Sequence, residues 1–322
     1  MQKKLLTWQF IYNNLQQDVE VILLYVLESK GSSPGRQGFF MAVNERGEMS
    51  GSIGGGIMEH KFAEMAKAKL QQSATVHSLY LQVHDRSAAA NHSGMICSGE
   101  QTIFIYSLQQ KDSIPVSAMI GSLQQYQNGT LQLSPEGILF NSIIPEHSFY
   151  FNKKSETDFF YSEKTGYHNQ LHIIGGGHCS LALSQLMSRM DFYVHVYDER
   201  SGLNTIAENN LAHNITLVPG YENMQAYIPS GSNQYVVIMT VGYRTDAVAL
   251  KSLLQNEFAY LGMLGSKNKM AKLFDDLWNE GIDKVMLDRI HAPIGIQIKS
   301  QTTEEIAISI AAEIIKVKNE HL

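Results

Sequence analysis

A chain of 322 residues has room for two domains of ordinary size, and its 44% hydrophobic and 17% charged residues fit a globular protein with real cores. Its 25 basic and 31 acidic residues leave a net charge of −6. That balance excludes a globally basic binder of nucleic acid or anionic lipid, so any phosphate site has to be local. At the N-terminus Lys3 and Lys4 precede an apolar stretch that Thr7 and Gln9 interrupt, which argues against a secretory signal. Leu5–Leu15 reads as a short amphipathic helix. Val19–Leu27 is an almost unbroken apolar and β-branched run, the pattern of a strand covered on both faces. A turn at Lys30–Arg36, a strand at Phe39–Val43 and a turn at Asn44–Gly47 lead to a glycine-rich loop, Ser50–Gly56. A helix follows from Ile57 to about Gln72, and Val76–Val83 and Gln101–Leu108 alternate as strands.

Residues 113–168 read as a connection. A helix near Val116–Gln125 precedes small hairpins parted by Asn128-Gly129, Pro135-Glu136-Gly137 and Pro145, with no motif that carries chemistry. From Leu171 the pattern changes. Strands at Leu171–Ile174, Phe192–Tyr197, Ile215–Val218 and Tyr235–Met239 alternate with helices at Cys179–Met190, Asp246–Gln255 and Lys267–Asn279, and a last helix spans Thr303–Val317. The expected architecture is α/β. An N-terminal α/β domain occupies residues 1–112, and a C-terminal Rossmann-like domain with a parallel sheet occupies residues 169–322. No apolar run approaches the roughly 18 residues of a membrane span. The two cysteines, Cys97 and Cys179, lie in separate domains, so a reducing cytoplasm is expected.

Gly175-Gly176-Gly177 sits between a strand and a helix. Glycine permits the tight turn and lets a phosphate approach the backbone, where the helix N-terminus supplies amide donors and positive potential. His178 opens that helix. Asp198 ends the next strand, 23 positions after Gly175, where an acid would meet a ribose hydroxyl. Asp198 also disfavours a 2′-phosphate, a preference that Arg200 softens, so these residues alone favour NAD. Ser180 stands where a third small residue is usual. Further on, Gly265-Ser266-Lys267 ends a strand and opens a helix. It reads either as a second phosphate contact or as a capped helix with a solvated lysine.

In the N-terminal half, Gly54-Gly55-Gly56 before a helix suits a nest of N–H groups for an anion. Glu59 either complements the helix dipole or faces a ligand at that loop. Cys97 lies in a loop of small residues between Gly94 and Gly99, as a nucleophile or sulfur carrier would, although an inert packing residue fits the same composition. The one HxxxH spacing, His168 to His172, runs from a loop into a strand and lacks the glutamate of a zinc protease, so no metal site is expected.

Four groups of segments together resemble the XdhC/CoxI family, the accessory factors of molybdenum hydroxylases such as xanthine dehydrogenase. They are Gly31–Arg36 with Gly51–Glu59, then Gly94–Glu100, then Ile174–His178, then Leu261–Lys267 with Ile290–Gly295 and Glu304–Ile314. The resemblance implies a protein that binds the molybdenum cofactor, supports its sulfuration by a cysteine desulfurase and inserts it into an apo-hydroxylase. It makes Cys97 the candidate cofactor or sulfur contact, with Cys97-Ser98-Gly99 matching the family's Cys-Gly-Gly loop save for the serine. The Ser52–Gly56 loop and Glu59 match the family's glycine loop and following acid. Where the family carries a Thr-His pair after the fourth Rossmann strand, this chain has Thr240-Val241, with Asp246 in place. Under this reading the glycine turn at Gly175 holds molybdopterin or its dinucleotide form, and both glycine loops are expected to serve one site with Cys97 in reach. Two other readings remain: an NAD-dependent oxidoreductase, and a non-enzymatic scaffold that docks a hydroxylase. The apolar helix around Ile306–Ile315 adds the expectation of a homodimer.

Overall fold

The computed structural model describes residues 1–72, 74–83 and 99–320, which fall into two compact units, Met1–Gly166 and Tyr167–Leu322. No helix among the described residues is long and apolar enough to cross a membrane.

The first unit begins with α1 (Gln2–Leu15), followed by β1 (Val21–Gly31), β2 (Phe40–Asn44) and β3 (Met49–Ser52). Then come α2 (Gly56–Gln71), β4 (His77–Val83) and β5 (Gly99–Ser107). These strands form an antiparallel sheet in the order β3-β2-β1-β5-β4. Central β1 is buried from Val21 to Leu27 because both of its faces are covered. Met58, Phe62, Ala66 and Leu70 of α2 pack on one face, against Ile22, Leu24, Val26 and Ile105. The glycine loop is shorter than the sequence implies. Its first half is β3, paired with β2 from Phe40↔Ser52 to Val43↔Met49, because cross-strand pairing outweighs the poor strand propensity of serine and glycine.

The stretch read as a connection is folded into this same unit. It contains α3 (Ser113–Gln124), β6 (Gly129–Ser134), β7 (Gly137–Asn141), β8 (Phe149–Lys153) and β9 (Phe159–Thr165). The strands form a four-stranded antiparallel sheet in the order β7-β6-β9-β8. Val116 and Met119 of α3 and Leu131, Leu133 and Tyr161 of the small sheet share one core with Trp8, Ile11, Tyr25 and Phe104. Apolar side chains spaced along hairpins leave a weak linear signal, and they acquire a partner only when the sheet assembles.

The second unit holds β10 (Asn169–Ile174), α4 (His178–Met187), β11 (Phe192–Asp198), α5 (Asn204–Ala207) and β12 (Asn214–Leu217). It continues with β13 (Gly231–Ile238), α6 (Tyr243–Leu253), β14 (Phe258–Met263), α7 (Lys267–Asn279), α8 (Lys284–Leu287) and α9 (Thr303–Glu320). All five strands are parallel, in the order β12-β11-β10-β13-β14. Leu183, Met187, Ile310 and Ile314 from α4 and α9 cover one face, and Leu250, Leu253, Met270 and Leu273 from α6 and α7 cover the other. The chain runs from β10 outward to β12, then crosses to β13 and β14. The carboxyl ends of β10 and β13 are therefore the point at which this class of sheet leaves a crevice.

A stack of rings lies across β10 and β11. His172 stacks on His195 at 4.6 Å, Tyr193 sits 4.6 Å from His195, and His213 stacks on Tyr193 at 4.8 Å. Gln234 and Gln170 meet His172 Nε2 and His195 Nε2 at 2.7 and 2.8 Å. Burial pushes His172 down to about 4, and burial together with the other two histidines pushes His195 to about 3. Burial likewise lowers His213 to about 4. Each is neutral in the fold, while in the unfolded chain it protonates near 6.5. The unfolded state therefore binds more protons as pH falls below 6.5, and the stability these groups confer is progressively lost from there toward 4. The melting temperature is expected to drop over that interval, with the three rings still neutral by NMR at pH 5. Ring titrations centred near 6.5 would contradict this.

Candidate functional site

Three glycines follow β10, and the structure gives them different tasks. Gly175 has φ +109°, and a Cβ there would lie 2.3 Å from the Met239 carbonyl oxygen beyond the end of β13. Its N–H donates to the Tyr197 carbonyl at 2.7 Å. Gly176 is backed by Ile206, whose side chain would come within 2.8 Å of a Cβ, and its N–H donates to Asp198 Oδ2 at 2.6 Å. Gly177 faces open space, with nothing within 4 Å of a Cβ position. It is the N-cap of α4 and supplies no side chain, so the first amides of the helix, from His178 onward, have no side-chain acceptor there. Packing demands the first two glycines, and the third opens the helix end to an anion.

Asp198 is fully buried. Its Oδ1 accepts from Arg200 N at 2.8 Å and Nε at 2.9 Å, and its Oδ2 accepts from Gly176 N and, at 2.7 Å, from Arg200 Nη2. Burial works to raise the carboxyl, but the hydrogen bonds from Arg200 and Gly176 outweigh it and hold the group below the usual carboxylate range. Thr205 of α5 donates its hydroxyl to the Gly176 carbonyl, which fastens the turn from the other side.

Beyond β13, Thr240 is held by Asp246, whose Oδ1 accepts from Thr240 N at 2.9 Å and from its hydroxyl at 2.6 Å. Lys269 Nζ donates to Asp246 Oδ2 at 2.6 Å. Ser266 caps α7 by accepting from Lys269 N, and Gly265 packs closely on Met270. Lys267, the cation singled out in the sequence, is exposed. The lysine that reaches the end of β13 is Lys269, two positions later. A side chain that pairs with a buried acid on another helix leaves no linear signature, so sequence reasoning had no means to choose it. Val241, at the position of the family's histidine, is 69% exposed.

In the first unit the segments Gly31–Arg36 and Gly51–Glu59 come together. The buried Gln101 amide donates to the Gly35 carbonyl at 2.8 Å, and a Cβ on Gly35 would lie 1.9 Å from the Ile53 carbonyl oxygen. Gly54, Gly55 and Gly56 all have positive φ, between +70° and +128°. Several donors of this loop are already used. Glu59 Oε2 accepts from Ser52 Oγ at 2.6 Å, from Ile53 N at 2.9 Å and from Gly55 N at 3.0 Å, while Gly54 N donates to Ser52 Oγ. The chain's own carboxylate thus takes part of the loop, while Gly55, like Gly177, has nothing within 4 Å of a Cβ position and gives its helix no side-chain cap.

Cys97 lies outside the described residues. Cys179 is half-buried, and burial, with a smaller effect of Glu304, pushes its thiol up, away from the thiolate. Among the described residues no group of three His, Cys, Asp or Glu side chains is placed to hold a metal. His291 stacks on Tyr260 at 4.5 Å, and Glu313 accepts from the Tyr260 hydroxyl and from Gly295 N, so Glu313 shapes the segment from Ile290 to Gly295.

Comparison with known proteins adds the family. The XdhC and CoxI family matches residues 15–80, and the XdhC Rossmann domain matches residues 171–314. An uncharacterized protein of Escherichia coli, YqeB, is 26% identical over 94% of this chain, which spans 44% of YqeB's length. A Bacillus subtilis protein named as a probable xanthine dehydrogenase subunit is 21% identical, with 94% of this chain and 95% of the relative aligned. A crystal structure titled as a xanthine dehydrogenase from Bacillus halodurans has the same fold. Its TM-score is 0.70 at 22% identity, covering 98% of this chain and 97% of the other.

The geometry separates substitutions at the two loops. Gly175→Ala is expected to cost at least about 2 kcal/mol in chemical denaturation, through positive φ and the Met239 carbonyl. Gly177→Ala should cost less than about 1 kcal/mol, and equal costs at the two positions would refute the assignment. Glu59→Ala leaves three donors without their acceptor and is expected to destabilise the first unit by about 1–3 kcal/mol. An unchanged denaturation midpoint would show that the loop does not depend on that carboxylate.

Proposed function

The chain belongs to the XdhC and CoxI family, and on that premise we propose that it is an accessory factor of a molybdenum hydroxylase of the xanthine dehydrogenase type. It binds the molybdenum cofactor, as molybdopterin or its dinucleotide, supports sulfuration by a cysteine desulfurase and delivers the cofactor to the apo-hydroxylase. The reading is carried by the presence of both family segments in one chain, with one glycine of the Rossmann turn still open. The Bacillus subtilis relative, aligned along nearly its whole length and named for xanthine dehydrogenase, supports the same client.

The residues fit the phosphate of such a cofactor at Gly177 and the first amides of α4, where open space meets uncapped N–H groups. Gly54–Gly56 fit it less well, because Glu59 has taken the Gly55 amide and its charge would repel a second anion. In this proposal Glu59 shapes the loop and Cys97 is the sulfur or cofactor contact. When bound, the cofactor carries redox chemistry at molybdenum for its client. His178 borders the phosphate turn, and Lys269 with Asp246 fixes the Thr240 wall of the crevice. A dehydrogenase would need a free edge of Asp198 for the ribose of NAD, and Arg200 already occupies that edge. A cytoplasmic homodimer belongs to the same proposal, with exposed Ile308 on α9 available to an interface.

Purified protein mixed with cofactor released from a donor enzyme should retain it through gel filtration. Gly177→Val should lose that retention while staying folded, and Cys97→Ser should bind the cofactor without protecting its terminal sulfur. A wild-type chain that retains no cofactor would sink the proposal.

A further inference from the structure

We propose, resting on the homodimer of the accessory-factor reading, that the open edge of β4 is the surface through which that dimer forms. Two copies join β4 to β4 in antiparallel pairing about a twofold axis.

β4 is an outer strand of the first unit's five-stranded sheet and pairs only with β5. Ser107 N donates to the Val76 carbonyl at 2.8 Å, next to the register pair His77↔Tyr106. Hydrogen bonding alternates along an antiparallel pair. Ser78 and Tyr80 therefore turn their backbone groups toward β5, and His77, Leu79 and Leu81 turn theirs outward. Among the described residues nothing bonds to those outward N–H and C=O groups. Unpaired edge groups recruit another strand unless something blunts them. The other edges are blunted. β3 and β12 are 4 residues long, β7 opens on Gly137 and β8 ends on Lys153. β14 is covered, because His291 N donates to the Leu261 carbonyl and Met263 N to the His291 carbonyl. β4 runs for 7 residues with no lysine, arginine, carboxylate, proline or glycine.

The occupant is a second copy because this edge complements itself. With Leu79 on the axis, Leu79 faces Leu79 of the second copy and His77 faces its Leu81, so each outward amide meets an outward carbonyl. The side chains agree with that register. His77 packs on Tyr106 at 4.6 Å and Leu79 lies in the core with Phe104, which puts Leu81 on the same face, where it is 46% exposed. Pairing lays the second copy's His77 against it. On the opposite face Tyr80, edge-on to Phe62 at 5.8 Å and 39% exposed, comes beside the second copy's Ser78. No like charges meet along the seam, since neither strand carries a lysine, arginine or carboxylate. One strand edge makes a small interface, of the class that associates reversibly.

Sedimentation of the full chain should show a dimer that grows with concentration. Hydrogen exchange at the amides of His77, Leu79 and Leu81 should slow over the same range, while Ser78 and Tyr80, already bonded to β5, stay unchanged. Leu81→Lys puts a charge in the seam and should weaken association about tenfold or more. Leu81→Pro removes one outward donor and no bond to β5, and should weaken association while the chain stays folded. Should either variant fail to fold, the exchange pattern of the wild-type chain decides. A dimer indifferent to both variants, or outward amides that exchange equally fast at every concentration, overturns the edge and leaves the homodimer to another surface such as α9. Protection that appears only when the apo-hydroxylase is added overturns self-pairing. A chain that stays monomeric in concentrated solution overturns both the edge and the homodimer, and leaves the cofactor reading standing.

Discussion

Asp198 has no exposed surface, so its charge has to be met inside the protein. It is met by the Gly176 amide on one side and by the backbone and guanidinium of Arg200 on the other. One carboxylate thus ties the end of β11 to the turn after β10. The opposite side of the turn is held by close backbone approach, with Gly175 against the Met239 carbonyl. Between these two constraints the start of α4 has little freedom. Its first amides have no side-chain cap and space is open at Gly177, while the residues around them are fixed, which is the preorganisation an anion site needs. Asp246 does the same for the neighbouring wall by holding Thr240 through both its amide and its hydroxyl, with Lys269 balancing the charge.

The two glycine loops show how little composition says about ligand access. Both have three consecutive glycines before a helix, and both look like nests for anions. At Gly54–Gly56 a glutamate in the first turn of the helix folds back and takes the Ile53 and Gly55 amides. At Gly175–Gly177 no acid lies in the first turn of α4, and the acid that does approach takes a single amide, that of Gly176. The position of one carboxylate sets how many amides of each turn are already taken.

In the first unit, the shape of the glycine loop depends on how the sheet is covered. β1 is buried on both faces because α2 packs on one side and α1, α3 and the small sheet pack on the other. That coverage holds the ends of β1, β3 and β5 in place, where Gln101 ties the turn at Gly35 to the loop at Ile53. The small sheet therefore belongs to the scaffold that sets this loop, although its own sequence carries no chemical motif.

The strong periodic elements could be read from hydrophobic pattern alone. The apolar run of β1, the strand–turn–helix at Gly175 and the parallel alternation from Leu171 onward follow from hydrophobic pattern and glycine chemistry, which are local properties. The resemblance added the family and pointed to Cys97, which lies beyond the described residues. What was not legible depended on partners distant in the chain. The hairpins after Ser113 joined the first unit because their apolar side chains found Trp8 and Tyr25. Lys269 rather than Lys267 met the buried acid because helix geometry aims one of them at Asp246. Asp198 and Glu59 were both recognisable as acids near glycine turns, but what each carboxylate binds was decided by tertiary structure. Hydrogen bonds saturate, and only the folded chain settles which donors reach a buried oxygen first.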